Sequence, residues 1–481
     1  MTASIAETYR LGEFHSFEAE GESFLYLVPA GAIFQVDDTV KRLIESVDDA
    51  GTSHHTLAER LVTRGVTRSD AEELIEEMFY ANVLTTERRV PERPQSPPAV
   101  FPLQTLVLNL TNQCNLSCQY CYEFGADKVA TPEGKPKFMD LPTAKASVDF
   151  LMAEARERQA VHITFFGGET LMNFPLLKQV VAYALERARE KGCHLDFSLT
   201  TNATLLTPAI IEFLSENRIG VTVSMDGPKD MHDQLRVFSN GRGSYDIIEP
   251  KVRALIQNHR TRPITARVTL TAGVTDVIRI FRHLKHDLGF HEVGFAPVTT
   301  SPNQLYAIND KGMDGVLDQF RSLAKEYLEY ALRGEAHGFS NVSDTLAELC
   351  QGVNKSHPCG AGLGLMGVGP SGDIAPCHRF VDSDQHALGH ISTGIDRQKQ
   401  NDFLSRGHID AKYDCHTCWA RPLCAGGCHH EAFVRYGDTG HPNLHYCDWI
   451  RDWTNVCLEI YGSIATRNPE FLQQFAERKS L

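Results

Sequence analysis

Long apolar runs are missing from this sequence: nowhere do ~18 consecutive apolar residues occur, the length a membrane-spanning helix needs. Its first residues also lack the basic patch and following apolar core of a signal peptide. Together these absences predict no membrane partner and a cytoplasmic location. Positive charge is in short supply: 47 Lys+Arg stand against 61 Asp+Glu, a formal net charge of -14. Such a balance opposes binding to phosphate backbones and excludes nucleic acid as the main partner. Low-complexity sequence is confined to one proline-rich stretch. What is present is a 481-residue chain, 42% hydrophobic, able to bury a large core in about three domains of ~150 residues. Cysteine is plentiful, at 13 residues. A reducing compartment does not keep thiols as disulfides, so metal ligation is the leading reason for so many.

Phe24 to Val36 alternates as a hairpin would, Thr39 to Val47 reads as a short helix, Leu57, Leu61 and Val62 share one helical face, and Ala71 to Phe79 forms a third helix after Ser69. This is a winged-helix-like α+β module over residues 1–88. A proline-rich segment over 89–102 denies helix and ladder hydrogen bonds and reads as a stiff linker. Over 103–335, strand-like runs (TLVLNL, VHITFF, DFSLTTN, GVTVSMDG, ITARVTL, EVGFAPV) alternate with amphipathic helices, the last from Met313 to Leu332. Such alternation predicts an α/β fold with parallel strands, a partial (β/α)6 TIM-like barrel whose ligands gather at the C-terminal strand ends. Beyond about Gly338 the regularity stops, and residues 336–481 read as a Cys-rich metal-stapled domain closed by a helix from Asp448 to Ala465.

Cys114, Cys118 and Cys121 form C-x3-C-x2-C on the loop leaving the first barrel strand. Three thiolates can wrap a cubane of four irons and leave one iron open, whereas structural zinc usually wants four ligands. Gly167, Gly168 and Glu169 follow the second strand; glycines let backbone approach a ligand, and the carboxylate can hold an ammonium. Asn202 ends the third strand and Ser224 the fourth, with Asp226 and Arg236 close behind. Any one of these is an ordinary loop residue; at successive strand ends they argue for a site. The motif resembles the radical S-adenosylmethionine (SAM) superfamily. That resemblance implies a SAM-binding 4Fe-4S cluster, Tyr120 against the adenine, Glu169 on the methionine ammonium, and Asn202, Ser224 and Arg236 on the ribose and carboxylate.

Downstream come Cys359 and Cys377, then Cys415-x2-Cys418-x5-Cys424-x3-Cys428, then Cys447. Paired zinc tetrahedra are the alternative reading. The order resembles the SPASM module of peptide-altering radical SAM enzymes, which implies that Cys359, Cys377 and Cys428 hold auxiliary cluster I and that Cys415, Cys418, Cys424 and Cys447 hold auxiliary cluster II. Three cubanes with one SAM-bound iron need eleven thiolates, and the motifs supply ten, so Cys350 is the natural eleventh; otherwise one iron is open to a substrate thiolate. Cys193 and Cys457 read as buried bystanders. GLGLMG, residues 362–367, meets the dinucleotide pattern without a preceding strand and is a decoy. His378, His429 and His430 flank cluster cysteines and read as hydrogen-bonding neighbours or solvated residues, not ligands. Formylglycine-forming relatives carry an aspartate where this chain has His378, which leaves the catalytic base unassigned.

The N-terminal module has more acids than bases, against groove binding. Its IFQVDDTVKRLIE and AEELIEEMFYANVL segments resemble the element that holds leader sequences of ribosomally made peptides, adding the leader as an edge strand. The full-length pattern most resembles the maturases of quinohemoprotein amine dehydrogenase. That implies a small protein or peptide substrate with a leader, a one-electron reductant such as flavodoxin or ferredoxin, and thioether bonds from Cys sulfur to Asp or Glu methylene carbons. Other oxidative peptide modifications, or a non-catalytic iron-sulfur carrier, are the alternatives.

Overall fold

A computed structural model describes residues 8–86, 101–125, 127–129 and 134–476. The proline-rich segment lies outside them as far as residue 100. After a short strand at Arg10–Leu11, which pairs with Leu84–Thr85, the N-terminal module forms β1 (Phe14–Ala19), β2 (Glu22–Leu27) and β3 (Ala32–Val36), an antiparallel sheet in that order. The alternation predicts only the last two strands. In β1 a histidine stands at an inward position, which breaks the apolar alternation: His15 stacks on Trp419 with centroids 3.7 Å apart, while Phe17 and Ala19 are buried. Helices α1 (Asp38–Ile44), α2 (His54–Thr63) and α3 (Arg68–Tyr80) follow, each started by a side-chain cap from Asp37, Ser53 or Thr67. Ala58, not Val62, completes the buried face of α2.

The barrel elements are β4 (Thr105–Asn109), α4 (Leu141–Glu154), β5 (Ala160–Phe166), α5 (Phe174–Lys191), β6 (His194–Thr201), α6 (Pro208–Glu216) and β7 (Gly220–Ser224). They continue with α7 (Tyr245–Asn258), β8 (Ile264–Leu270), α8 (Val277–Arg282), β9 (Glu292–Pro297) and α9 (Asp310–Leu332). The six strands run parallel in chain order, as βαβ crossovers require. The barrel stays open, with β9 at one edge.

The C-terminal region enlarges this sheet. After α10 (Ser340–Cys350), β10 (Leu365–Val368) pairs in parallel with β4, and β11 (Asp373–Ala375) adds antiparallel to β10. Part of GLGLMG is thus strand β10, and Gly367 is required by packing: a Cβ there would lie 2.8 Å from the Cys377 carbonyl carbon. The closing helix α11 (Cys447–Arg467) packs on β1, where a Cβ on Gly462 would come within 2.8 Å of Ala19. One apolar core runs from Phe17 and Phe24 through the barrel to Trp453, Leu458 and Ile464. Cys457 lies inside it, and Cys193 packs at its margin. No helix among the described residues is long and apolar enough to cross a membrane.

Candidate active site and cysteine clusters

The C-terminal strand ends open on a cavity of about 430 Å³ whose wall includes Cys114, Cys118, Cys121, Tyr120, Gly167, Gly168, Glu169, Asn202, Ser224 and Arg236. Every barrel residue expected at the site from the sequence therefore reaches one wall, apart from Asp226, which acts through Arg236.

The local chemistry differs from the simplest expectation in three places. A Cβ on Gly167 would lie 2.3 Å from the Thr111 carbonyl oxygen, and one on Gly168 would lie 2.4 Å from that of Gln113. The close approach these glycines permit is to the backbone of the cysteine loop. There, Gly168 N–H donates to Thr111 O at 3.0 Å and Glu169 N–H to Gln113 O at 2.9 Å. Asn202 is also already engaged. Its amide Nδ2 donates to Asn115 Oδ1 at 3.0 Å and to Cys114 Sγ at 3.7 Å, and Leu116 N–H reaches the same sulfur at 3.4 Å. N–H donors on a cluster thiolate tune its potential, so Asn202 serves the cysteine loop. Third, Arg236 is held by Asp226: Nε donates to Oδ2 at 2.6 Å and Nη2 to Oδ1 at 3.3 Å. Asp226 also accepts from the Tyr120 hydroxyl at 2.5 Å and from Thr269 N–H at 2.9 Å. The guanidinium lies 5.3 Å from the Tyr120 ring centroid. Burial alone would push the Arg236 pKa down; Asp226, Tyr120 and Cys118 carry it up.

Glu169 is 1% exposed, and burial raises its pKa. Opposing this, Oε1 accepts from Thr201 Oγ1 at 2.6 Å and Leu171 N–H at 3.1 Å, and Oε2 from Asn202 N–H at 2.7 Å. A carboxylate has about four acceptor positions, so roughly one remains for a ligand ammonium.

Two residues missed in the sequence also line the cavity, Arg267 of β8 and Arg379. The signal for Arg267 was a cation inside the apolar run ITARVTL. Arg379 Nη1 donates to Thr299 Oγ1 at 2.9 Å, its guanidinium lies 4.8 Å from the Tyr122 ring centroid, and the thiols of Cys377 and Cys428 act on it. It thus stands between the cavity and the second cysteine set. His378 lines the same wall; burial, then Arg379, pushes its pKa down to about 3, so the imidazole is neutral. His429 Nδ1 meets the Thr439 carbonyl at 3.0 Å, whereas neither ring nitrogen of buried His430 has a hydrogen-bond partner among the described residues.

The thirteen thiols are all free. Burial pushes the Cys114 thiol up to about 12, with Cys118 and Cys121 among the charges adding to the rise. Burial likewise carries Cys377 to about 12, with Cys428 and Cys359 adding, and Cys415 to about 12, with Cys424, Cys418 and Cys447 adding. Cys114 is thus acted on by Cys118 and Cys121, Cys377 by Cys428 and Cys359, and Cys415 by Cys424, Cys418 and Cys447. Thiols this reluctant to ionise become thiolates when iron compensates their charge. Among the described residues no three His, Cys, Asp or Glu groups close on a point that one metal ion would fill.

Cys350 is the exception. It ends α10 and packs against the main core, its thiol raised to about 11 by burial alone, and the neighbour it acts on is Tyr461. Helix α10 packs on α11, and Cys350 stands at its last position. Cys350→Ala is expected to leave the iron content of reconstituted protein unchanged, as measured by iron and sulfide analysis.

Residues 108–296 match the family model of the Radical SAM superfamily. The chain is 25% identical over 372 residues to a serine-type anaerobic sulfatase-maturating enzyme of Bacteroides thetaiotaomicron, covering 73% of this chain and 87% of that protein. It is 27% identical over 364 residues to the radical SAM cyclopropyl synthase TigE of Paramaledivibacter caminithermalis, covering 72% of each. The solved structure of anSMEcpe with bound AdoMet superposes with a TM-score of 0.64 at 20% identity, over 76% of this chain and 99% of that one. The fold is the radical SAM α/β fold, with a partial barrel-like sheet and a Cys-rich C-terminal region.

Proposed function

We propose that the chain is a radical SAM peptide maturase that forms intrapeptide thioethers in a small protein substrate of the quinohemoprotein amine dehydrogenase type. The observation that carries this is the convergence of Cys114, Cys118 and Cys121 with Glu169, Ser224 and Arg236 on one cavity, backed by the Cys359, Cys377 and Cys428 set behind Arg379. With clusters at these cysteine sets, the site would supply one-electron cleavage of SAM to a 5'-deoxyadenosyl radical and an exit for the electron left after bond formation.

The chain's own residues do the rest. Glu169 offers its remaining acceptor position to an ammonium. Asp226 fixes Arg236 beside Cys118 and presents it to the cavity. Arg267 and Arg379 make the wall facing a substrate cationic, which suits an acidic side chain. Water excluded from around the reacting carbon would protect a radical from stray hydrogen donors. If Cys350 is not a ligand, the set of Cys359, Cys377 and Cys428 keeps one position that a substrate thiolate would fill.

Peptide capture falls to the N-terminal module. Helix α11 packs on the inner face of β1, around Phe17 and Ala19, whereas β3 is an edge strand with Phe34 48% exposed. An open edge of this kind takes a leader as an added strand.

The second reading is formylglycine formation, favoured by the sulfatase-maturating relatives and disfavoured by His378 in place of aspartate. Anaerobic incubation with a co-encoded small protein, SAM and a strong reductant separates the two. Thioether formation is expected to remove two hydrogens per event and make the joined cysteines inert to alkylation. Intact alkylatable cysteines, or loss of sulfur from the peptide, would overturn it.

A further inference from the structure

Lys412 is a buried cation of the C-terminal region. Its side chain is fully buried, at 2% exposure, and Nζ donates to the carbonyl oxygen of Ala425, the residue after Cys424, at 3.0 Å. The pocket around it is built to take it. Gly426 has φ +82, and a Cβ there would lie 2.6 Å from Lys412 Cδ and 2.7 Å from Nζ. The neighbouring Lys355 is different: its Nζ pairs with Glu348 Oε1 at 2.5 Å and donates to Leu423 O at 2.9 Å. The four groups whose charge bears most on Lys412 are all thiols, Cys415 and Cys424 from the four-cysteine set and Cys359 and Cys428 from the three-cysteine set.

A buried ammonium is costly unless an anion compensates it. Neutral thiols do not compensate it, whereas the same four sulfurs ligating iron-sulfur clusters belong to anionic groups. We infer that Lys412 is a shared counter-ion of both auxiliary clusters, placed between them to raise the reduction potential of each. The inference rests on the cluster reading of these cysteine sets and goes beyond the ligand assignment. The direction follows from Coulomb's law: each cluster gains one negative charge when it takes up one electron, and a fixed cation nearby favours the more negative state. An electron leaving the substrate carbon is then drawn toward the C-terminal region and away from the SAM-binding site.

The test is an anaerobic potentiometric titration of the reconstituted full-length protein, followed by electron paramagnetic resonance, for the unsubstituted chain, Lys412→Met and Lys412→Arg. In Lys412→Met both auxiliary signals are expected to move to more negative potential. At fixed potential, the reduced-to-oxidised ratio of each should fall by about tenfold, equivalent to ~59 mV for a one-electron couple. The signal assigned to the Cys114, Cys118 and Cys121 site should stay in place, and Lys412→Arg should restore both auxiliary potentials. If Lys412→Met fails to load iron at the C-terminal sites while Lys412→Arg loads it, the counter-ion role is again supported. Unchanged auxiliary potentials in a fully loaded Met variant, an equal shift at the SAM site, or failure of both variants to load would overturn it. Iron and sulfide analysis of the unsubstituted protein addresses the cluster reading by itself: a chain that loads no auxiliary cluster refutes that reading whatever Lys412 does.

Discussion

Cys118→Ala is expected to reduce the release of 5'-deoxyadenosine from SAM to background and, on the proposed reading of three cubanes, to lower the iron content by about one third. Cys118 lies within reach of Arg236 and faces the same cavity as Cys114 and Cys121. Two thiolates do not retain a cubane that three hold with one iron left open, so the loss is one of the whole site. The C-terminal cysteine sets are separate from this loop and should keep their iron. Chromatography of the nucleoside product together with iron analysis checks both halves. A Cys118→Ala protein that still cleaves SAM above background would place the reaction elsewhere.

The second large effect belongs to Asp226→Ala. This carboxylate is 2% exposed and gathers Arg236, the Tyr120 hydroxyl and Thr269 N–H, joining the residues behind β7, the cysteine loop and β8. Removing it leaves the 7%-exposed Arg236 without its partner inside the protein. Truncating one member of a buried, hydrogen-bonded ion pair costs about 3–5 kcal/mol, much of it from the charge left behind. The expected result is a fall of that size in the stability of the barrel, read from denaturant unfolding of anaerobic protein. Because the chain has several parts, the transition monitored should be the one reported by barrel fluorescence or backbone signal. Asp226→Ala combined with Arg236→Met should recover part of the loss, since the orphaned charge goes as well. Equal stability of the single and double variants would mean that the charge pairing is not what Asp226 contributes.

Much of this was legible along the chain. Local spacing placed three cysteines on one turn-sized loop after a strand, and the β-α alternation put Gly167, Asn202 and Ser224 at successive strand ends, where a parallel sheet concentrates ligands. Groupings between distant segments were less accessible. The spacing offered Cys350 as a ligand beside Cys359; in the fold it ends α10, packs against the main core and acts on Tyr461 of α11. A nine-residue separation along a chain says little about distance once a helix end and a turn intervene.

By itself the sequence determined the fold class and the short-range spacing of the cysteine motifs, since these rest on periodicity and local order; the cluster partition came from resemblance to the SPASM module. Only the tertiary structure decided that Gly167 and Gly168 press on the cysteine loop, that Asn202 donates to Cys114, that Asp226 holds Arg236, and that Lys412 is buried against Ala425 and Gly426. Each of these is a contact between polar groups far apart in the chain. A hydrogen-bond donor or a charge has no periodic signature, and its partner is fixed by which backbone segments the packed core brings within a few ångströms.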